Sequence, residues 1–370
     1  MSVATALRGF QFTAPGAPLT PVRREMAALS GDDVLVRVAG CGVCHTDLGF
    51  LHGGVRTRHP LPLILGHEIS GHVEDAGIRC RSLVGRAVVV PAVLPCGDCA
   101  LCRGGHATIC ASQVMPGNDR DGGFATHVVL PGRFLCPVPG ATEDPDAPLG
   151  EAPGLTLRHL AVVADAVSTA YQAVERSGLE NRGLAVVVGL GGVGTFAAEI
   201  AAERGAVVVG LDIDSRRREA AVAMGAGLAL DPREIPSKEL RARIAEFARA
   251  QAAPATGWTI LECSGTPAGQ QTAFGLLVHG ATLMVVGFTL ETVSLRLSNL
   301  MAFDARALGN WGCAPQLYPA ILDKVLAGRI EVAAHAELRP LSRIAEALDE
   351  VHARRADRRI VLVPDLEEVS

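Results

Sequence analysis

The pattern of hydrophobic and polar positions divides the chain into two regions. Up to about residue 166, short apolar runs are separated by Gly- and Pro-rich turns, which is typical of a β-rich module. From about residue 167, longer apolar runs alternate with segments of helical period. In this second region we predict buried strands over 184–189, 206–212, 258–262 and 281–287, and helices over 193–204, 216–225, 238–252 and 268–278.

Repeated strand–helix–strand units of this kind predict a doubly wound parallel sheet. The sequence therefore predicts an α/β protein with a β-rich domain over residues 1–166 and a parallel-sheet domain over 167–309. Residues 310–370 add two helical segments and a final strand-like run. With 370 residues, the chain is long enough to give each domain a core of its own.

The composition is that of an ordinary globular enzyme, and it excludes several partners. Hydrophobic residues make up 49% of the chain, charged residues 20%, and the net charge is -5. This acidic balance gives no field that attracts nucleic acid or an anionic membrane. The apolar runs are too short to cross a bilayer, and the first residues lack the pattern of a secretory signal. We therefore expect a cytoplasmic protein without nucleic-acid or membrane partners.

Residues 189–194 read Gly-Leu-Gly-Gly-Val-Gly and fit the dinucleotide-binding pattern G-x-G-x-x-G between a predicted strand and a predicted helix. The first glycine allows the tight turn, the second lets the backbone approach a pyrophosphate, and the third lets the helix pack on the strand. The phosphates then meet the free N–H groups at the helix N-terminus. A purely structural turn is the alternative. The loop residues predicted to bind the cofactor are Gly189, Gly191, Gly192, Val193 and Gly194.

An acidic residue, Asp212, ends the next predicted strand. A carboxylate at this place accepts hydrogen bonds from the adenosine ribose hydroxyls and repels a 2′-phosphate, which favours NAD over NADP. The neighbouring Arg216, Arg217 and Arg218 argue in the opposite direction, unless they form a solvated helix face.

Four of the ten cysteines, Cys96, Cys99, Cys102 and Cys110, lie within fifteen residues. Such a cluster is more typical of metal binding than of disulfide formation in a chain without an export signal. Four thiolates make a closed tetrahedral site. We therefore predict a structural zinc that couples metal binding to the folding of the 96–110 lobe. Free or disulfide-paired cysteines are the alternative.

A second set of metal-binding residue types is dispersed along the chain. Cys44 lies in Gly-Val-Cys-His-Thr-Asp (42–47), and Gly-His-Glu follows at 66–68. A thiol and an imidazole so far apart are a weak signal by themselves. Together with the four-cysteine lobe and the glycine loop, in this order, they resemble the zinc-dependent medium-chain alcohol dehydrogenases over nearly the whole chain. The resemblance implies a GroES-like catalytic domain, a Rossmann NAD-binding domain, one catalytic and one structural zinc, and NAD.

The same resemblance implies roles for individual residues. Cys44 and His67 correspond to ligands of the catalytic zinc, and Glu68 corresponds to a carboxylate that lies beside the metal and can bind it transiently. Asp47 corresponds to the residue that orients His67. Thr46 corresponds to the hydroxyl that relays the substrate proton.

The third zinc ligand departs from the commonest pattern of the family. No cysteine lies at 162–169, where Asp165 stands instead, as in the branch that uses aspartate. One thiolate, one carboxylate and a neutral imidazole leave the zinc formally neutral, and the harder oxygen ligand keeps it at least as Lewis-acidic. A helix cap is the alternative role for Asp165. The usual distal relay histidine is Gly49 here, and His52 is either its replacement or a surface loop residue.

The resemblance also concerns the cofactor and the assembly. His45 and Arg359 correspond to contacts with the cofactor phosphates, and residues 310–370 are expected to return to the catalytic domain. A homo-oligomer, dimer or tetramer, is expected through the parallel sheets. We interpret the run 282–287 as an apolar edge that is compatible with this contact.

Within the family, the chain most resembles the 6-hydroxycyclohex-1-ene-1-carbonyl-CoA dehydrogenases, in the stretches 38–49, 115–118, 162–166, 300–305 and 311–313. This narrower resemblance implies hydride transfer from a cyclic enoyl-CoA alcohol to NAD, giving the 6-oxo product, in anaerobic benzoyl-CoA degradation. A CoA thioester needs basic residues around its phosphates. The substrate-binding candidates are Arg56, Arg58 and Arg120, for which solvated loop cations are the alternative.

Other functions stay open. One is an NAD-dependent dehydrogenase of a free secondary alcohol or polyol. Another is a non-catalytic binding protein on a dehydrogenase fold, which the presence of Cys44, Thr46, His67 and Asp165 disfavours. The same residues disfavour a zinc-free quinone reductase. DNA binding through the cysteine lobe is disfavoured because no basic helix follows the cysteines.

Overall fold

The computed structural model of the chain describes residues 6–26, 28–52 and 54–366. They form two compact units, which are described separately. The first unit comprises the described residues of Met1–Asp165 and Gly312–Ser370, and the second is Ala166–Trp311.

The helices and strands follow one another along the chain. The first are β1 (Ala6–Phe12), β2 (Thr20–Glu25), β3 (Asp33–Gly42), α1 (His45–Leu51), β4 (Leu63–Ile64), β5 (Glu68–Ala76), β6 (Ala87–Val90), α2 (Ala100–Arg103), β7 (His127–Pro131) and β8 (Cys136–Pro137). The next are α3 (Ala166–Ser177), β9 (Leu184–Val188), α4 (Gly194–Glu203), β10 (Val207–Leu211), α5 (Ser215–Ala223), β11 (Leu228–Leu230), α6 (Ser237–Ala250), β12 (Thr259–Glu262), α7 (Pro267–Gly275), β13 (Thr282–Val285), α8 (Ser298–Phe303) and β14 (Arg306–Gly309). The last are α9 (Tyr318–Leu326), β15 (Ala336–Pro340), α10 (Ile344–His352) and β16 (Arg359–Val363). None of the helices in the described ranges is long and apolar enough to cross a membrane.

The first unit contains two sheets. One has three strands in the order β2-β1-β4, and the other has seven, with the path β15-β16-β3-β5-β6-β8 and with β7 paired to β3. β3 is central, since it pairs antiparallel with β5, β7 and β16. Nine of its ten residues are buried. Through these pairings, β3 joins strands of the first 131 residues and the last strand of the chain in one sheet.

Helix α10 shows how the C-terminal segment joins the core of this unit. Its buried residues are Ile344, Ala347, Leu348 and Val351. Their spacing of three, four and seven residues puts them on one helical face. That face packs into the same hydrophobic core as the strands of the first 130 residues.

The second unit is built on a wholly parallel sheet of six strands in the order β11-β10-β9-β12-β13-β14. Successive strands run outward in both directions from the neighbours β9 and β12, which is the order of a doubly wound sheet. All five residues of β9 are buried, and its three valines suit a strand covered on both faces. The predicted α/β class, with a β-rich part and a doubly wound parallel sheet, is confirmed.

One prediction about this sheet was wrong. We interpreted the run 282–287 as an apolar edge of the sheet, but β13 lies between β12 and β14. The edge strand at this end of the sheet is β14, which the apolar pattern did not predict. Three of its four residues are exposed and it begins with Arg306, so it lacks the apolar run of a buried strand.

Candidate active site and metal centres

The dispersed metal-binding residues of the first unit come together in one cluster. Ligand atoms of Cys44, His67, Glu68 and Asp165 all lie within 4.8 Å of one another. Asp165 Oδ2 lies 3.5 Å from His67 Nε2 and 3.7 Å from Cys44 Sγ. Metal–ligand bonds of about 2.0–2.3 Å at tetrahedral angles place neighbouring ligand atoms about 3.3–3.8 Å apart. The spacing of this cluster therefore fits a zinc ion.

The surroundings of His67 also fit a metal ligand. The side chain is buried, and neither ring nitrogen has a hydrogen-bond partner among the described residues. Nδ1 faces Asp47 Oδ1 at 3.4 Å, while Nε2 faces the cluster. Burial alone would lower the pKa of His67, but the negative charges of Asp47, Cys44 and Asp165 raise it well above its ordinary value. A bound cation reverses this preference, because imidazole binds metals in its neutral form.

Asp47 fixes the two chain segments that supply Cys44 and His67. Its carboxylate is fully buried and accepts hydrogen bonds from the backbone N–H groups of Cys44, at 3.0 Å, and Gly66, at 3.2 Å. Gly66 has a φ of 95°, and a Cβ there would lie 2.7 Å from the ring of Phe124. Only glycine therefore lets the chain turn into His67 at this place.

The backbone at Asp165 is fixed by hydrogen bonds to the carbonyl of the preceding residue. That carbonyl, of Ala164, accepts hydrogen bonds from the Tyr318 hydroxyl at 2.6 Å and from the Ala92 N–H at 3.1 Å. Ala164 ends a short 3₁₀ helix, His159–Ala164, whose residues are nearly all buried. The side chain of Asp165, 17% exposed, then reaches the Cys44 and His67 ligand atoms.

The sequence did not predict that Glu68 and Arg359 form a buried ion pair. The Arg359 guanidinium donates to both carboxylate oxygens, with Nε 3.0 Å from Oε2, and the two side chains are 7% and 0% exposed. Burial raises the pKa of Glu68, and Arg359 opposes this effect. The strand register explains why Glu68 and Arg359 are neighbours. Gly42 of β3 pairs with Glu68 of β5 on one side and with Val361 of β16, the strand that begins at Arg359, on the other. A Cβ at Gly42 would lie 2.0 Å from Glu68 Oε2, so the pair needs this glycine.

The remaining residues predicted around this cluster differ in placement. Thr46 Oγ1 lies 3.6 Å from Cys44 Sγ, next to the cluster, whereas His45 is exposed at the first position of α1. His52 is exposed at the end of α1, with its ring centroid 4.7 Å from that of His352. Thr46 therefore lies beside the ligand atoms, whereas the role of His45, a predicted contact to the cofactor phosphates, stays a prediction.

Two of the three arginines predicted to bind substrate are engaged in ion pairs. Arg58 lies 3.4 Å from Asp119, and Arg120 lies 2.8 Å from Asp33. Arg56 is exposed. Ion pairing of this kind reduces the positive charge that is available to a phosphate group.

The four cysteines of the 96–110 lobe form a second cluster. Their sulfur atoms lie within 4.8 Å of one another, with Cys99 3.5 Å from Cys102 and 3.7 Å from Cys110. The backbone N–H of Cys102 lowers the pKa of the Cys99 thiol to about 6, and Asp98 raises that of Cys96 to about 12. The four thiols form no disulfide. Their number and spacing fit a closed zinc site.

The glycine loop of the second unit has the geometry of a phosphate cradle. Gly189 has a φ of 89°, and a Cβ there would lie 2.6 Å from Ser264 Cα. A Cβ at Gly194, the first residue of α4, would lie 1.7 Å from Gly189 O. At Gly191, by contrast, a Cβ would meet only Arg217 Nη1 among the described residues, at 3.7 Å. The first and third glycines therefore make the turn, and the second leaves room for a ligand beside the helix N-terminus.

Asp212 lies directly after β10 and reaches back to this loop. Its carboxylate accepts from the N–H groups of Leu190, at 2.7 Å, and Asp214, at 2.9 Å. Of the three arginines nearby, Arg216 pairs with Asp214 and Arg218 with Asp231. Arg217 lies between the loop and the carboxylate, 4.0 Å from Asp212 Oδ2.

Two family descriptions match the chain, the alcohol dehydrogenase GroES-like domain at residues 30–140 and the zinc-binding dehydrogenase at residues 192–327. An alcohol dehydrogenase of Geobacillus stearothermophilus is 26% identical over 351 residues, which is 94% of this chain and 97% of that protein. Galactitol 1-phosphate 5-dehydrogenase of Escherichia coli is 28% identical over 287 residues, 76% of each protein. The crystal structure of an Aeropyrum pernix alcohol dehydrogenase superposes with a TM-score of 0.83 at 26% identity, covering 96% of this chain and all of that chain.

The chain belongs to the zinc-type medium-chain alcohol dehydrogenase family. It is therefore an oxidoreductase that acts on a CH–OH group, with zinc and NAD(P) as its cofactors. The predicted enzyme class, the predicted cofactors and the broader of the two resemblances are confirmed.

Proposed function

We propose that the chain oxidises a secondary alcohol to the corresponding ketone with NAD as the acceptor. The observation that carries this proposal is the cluster of Cys44, His67, Glu68 and Asp165 with the hydroxyl of Thr46 beside it. In this proposal, residues 1–166 and 310–370 form the catalytic domain and residues 167–309 form the NAD-binding domain.

The reaction converts R₂CHOH and NAD⁺ into R₂C=O, NADH and a proton. When bound, zinc supplies Lewis acidity that eases the loss of the alcohol proton, and NAD supplies the acceptor for the hydride. Cys44, His67 and Asp165 would hold the metal. Asp47 keeps the His67 ring in place, and the Thr46 hydroxyl takes up the alcohol proton and passes it on.

Glu68 has a different part in this proposal. Its carboxylate lies within the ligand cluster, but Arg359 binds both of its oxygens. The ion pair keeps the negative charge of Glu68 compensated, so that Cys44, His67 and Asp165 remain the three resident ligands. Three protein ligands leave the fourth tetrahedral position for the substrate.

For the substrate we favour a free secondary alcohol or polyol over a CoA thioester. Arg58 and Arg120 are paired with carboxylates, which disfavours the several phosphates of CoA, and the relative named galactitol 1-phosphate 5-dehydrogenase acts on a polyol that carries a single phosphate. The narrower alternative is oxidation of 6-hydroxycyclohex-1-ene-1-carbonyl-CoA, for which the exposed Arg56 is the best-placed cation.

NADH formation by the zinc-loaded enzyme tests the proposal. Secondary alcohols and polyols are assayed beside 6-hydroxycyclohex-1-ene-1-carbonyl-CoA and its free acid. Turnover of alcohols with a silent thioester supports the substrate proposal. Turnover of the thioester alone, lost in Arg56→Ala, restores the narrower alternative. If every substrate of both classes is inert, the proposed function is wrong.

A homo-oligomer is part of the proposal. β14 is an edge strand, and large apolar side chains are exposed in the same unit, among them Phe288 (64%), Leu297 (67%) and Met301 (80%). An exposed edge and apolar residues together favour pairing with a second copy. Analytical ultracentrifugation checks this, and a monomer at micromolar concentration would contradict it.

A further inference from the structure

One buried carboxylate in the second unit has no part in the reaction described above. Glu262 is the last residue of β12 and is 0% exposed. β12 is the neighbour of β9, which leads into the glycine loop, so Glu262 lies at the carboxyl ends of the strands at the point where the strand order reverses. In doubly wound sheets, ligands bind at this point.

The carboxylate organises the turn that follows β12. Glu262 Oε1 accepts three hydrogen bonds, from the Ser264 N–H at 2.8 Å, the Ser264 hydroxyl at 2.5 Å and the Gly265 N–H at 3.2 Å. The other oxygen, Oε2, is buried without a hydrogen-bond partner among the described residues. It faces Gly287, where a Cβ would lie 2.8 Å from it.

The turn held in this way contacts the ends of both neighbouring strands. A Cβ at Gly189 would lie 2.6 Å from Ser264, and a Cβ at Gly287 would lie 2.2 Å from Gly265 N. The Glu262 carbonyl also accepts from the N–H groups of Val286 and Gly287, both at 2.9 Å. Three strand ends therefore meet at close backbone contacts around one carboxylate, and Ser264, Gly265 and Gly287 themselves remain partly exposed.

We propose that Glu262 is a positioning residue for the nicotinamide half of the cofactor. A doubly wound sheet consists of two mononucleotide-binding halves. β9, β10 and β11 form the half that contains the glycine loop and Asp212, and β12, β13 and β14 form the other half. Glu262 fixes the turn of Ser264 and Gly265 against Gly287 in this second half. This inference rests on the proposed use of NAD.

The position of Glu262 predicts that its substitution affects the binding of NADH but not the binding of 5′-AMP. Glu262→Gln keeps the shape of the side chain but removes the charge that three donors share, and it directs an NH₂ group towards Gly287. The surface that contacts the nicotinamide half of the cofactor should then become less ordered. The adenosine half of the cofactor should keep its contacts with the glycine loop and Asp212. Because hydrogen bonds to a charged group are among the stronger ones, we expect the Kd of NADH to rise about tenfold.

Calorimetric titration of the full-length, zinc-loaded protein with NADH and, separately, with 5′-AMP tests this. The expected result for Glu262→Gln is weaker NADH binding, with 5′-AMP binding changed by less than about twofold. Ser264→Ala removes one of the three donors and should raise the Kd of NADH about threefold, again with 5′-AMP binding unchanged. This variant tests the inference if Glu262→Gln does not fold.

Ser177→Ala is the matched control, because the buried Ser177 hydroxyl donates to Val174 O at 2.7 Å and accepts from Leu179 N at 3.2 Å in the same unit, outside the Glu262 turn and the glycine loop. It should lower the melting temperature without changing either Kd. An unchanged NADH Kd in both Glu262→Gln and Ser264→Ala, or a parallel loss of 5′-AMP binding, would overturn the inference alone. A wild-type protein that binds neither ligand would overturn the proposed use of NAD as well.

Discussion

The two metal clusters of the first unit differ in how their ligands are distributed along the chain. The four thiols at residues 96–110 lie within one short lobe, with α2 beginning directly after Cys99. In the other cluster, 121 residues separate Cys44 from Asp165. The local cluster depends mainly on its own loop, whereas the dispersed cluster exists only when the sheet that carries its ligands is complete.

The two clusters also differ in the chemical types of their ligands. Four thiolates saturate a tetrahedral zinc and hold a loop that has little core of its own. A thiol, an imidazole and a carboxylate surrounded by Asp47 and the Glu68–Arg359 pair leave a position for substrate. We infer that the local cluster stabilises and the dispersed cluster catalyses, and four predictions test this difference.

The largest effect is expected for Cys44→Ser. Loss of this ligand should reduce the zinc content from two ions to one and lower turnover at least about 1000-fold, since metal catalysis supplies several kcal/mol. NADH binding should be retained, because the glycine loop lies in the other unit. Zinc analysis, steady-state rates and NADH titration measure this. Cys136→Ser, a buried cysteine outside both clusters, is the control, and an active Cys44→Ser protein with two zinc ions would refute the assignment.

A change in the local cluster should act on stability. Cys102→Ser should remove the second zinc and lower the melting temperature of the first unit by about 10 °C, since each kcal/mol lost shifts a unit of about 150–250 residues by about 2–4 °C. Thermal unfolding with zinc analysis checks this, and Cys80→Ser is the control outside the cluster. A melting temperature that stays constant while zinc is lost would show that the lobe does not need the metal.

Asp47→Asn should weaken the dispersed cluster without dissolving it. The side chain keeps its shape but loses the charge facing His67, and groups that orient a metal ligand typically contribute about 10–100-fold in metal affinity. Competition with a chelator measures the zinc affinity. Asp75→Asn, an exposed residue of β5, should leave it unchanged. Equal zinc affinities of Asp47→Asn and Asp75→Asn would show that Asp47 does not support the metal site.

The smallest effect is expected for His52→Ala. A general acid or base contributes about 10²–10⁴-fold, but we expect less than about a threefold change in turnover because His52 is exposed beside His352. Rates across the alkaline pH range, beside His352→Ala, measure this. A loss of tenfold or more in His52→Ala alone would make His52 the distal relay.

Local patterns in the sequence were sufficient for much of this protein. The parallel sheet was predicted because its buried strands are continuous apolar runs. The glycine loop and the four-cysteine lobe were readable because all their residues lie within a few positions of one another. The positions of Cys44 and His67 needed the resemblance to a family in addition, since nothing local joins them.

Tertiary structure alone decided what depends on the pairing of distant strands. The Glu68–Arg359 pair follows from the register of β5 and β16 on β3, and β14 rather than β13 forms the edge at one end of the second sheet. The pairing of Arg58 and Arg120 with carboxylates is equally invisible in the sequence. The physical reason is that periodicity reports which face of an element is buried, whereas the partner of a side chain depends on register and on chain segments that are far apart in the sequence.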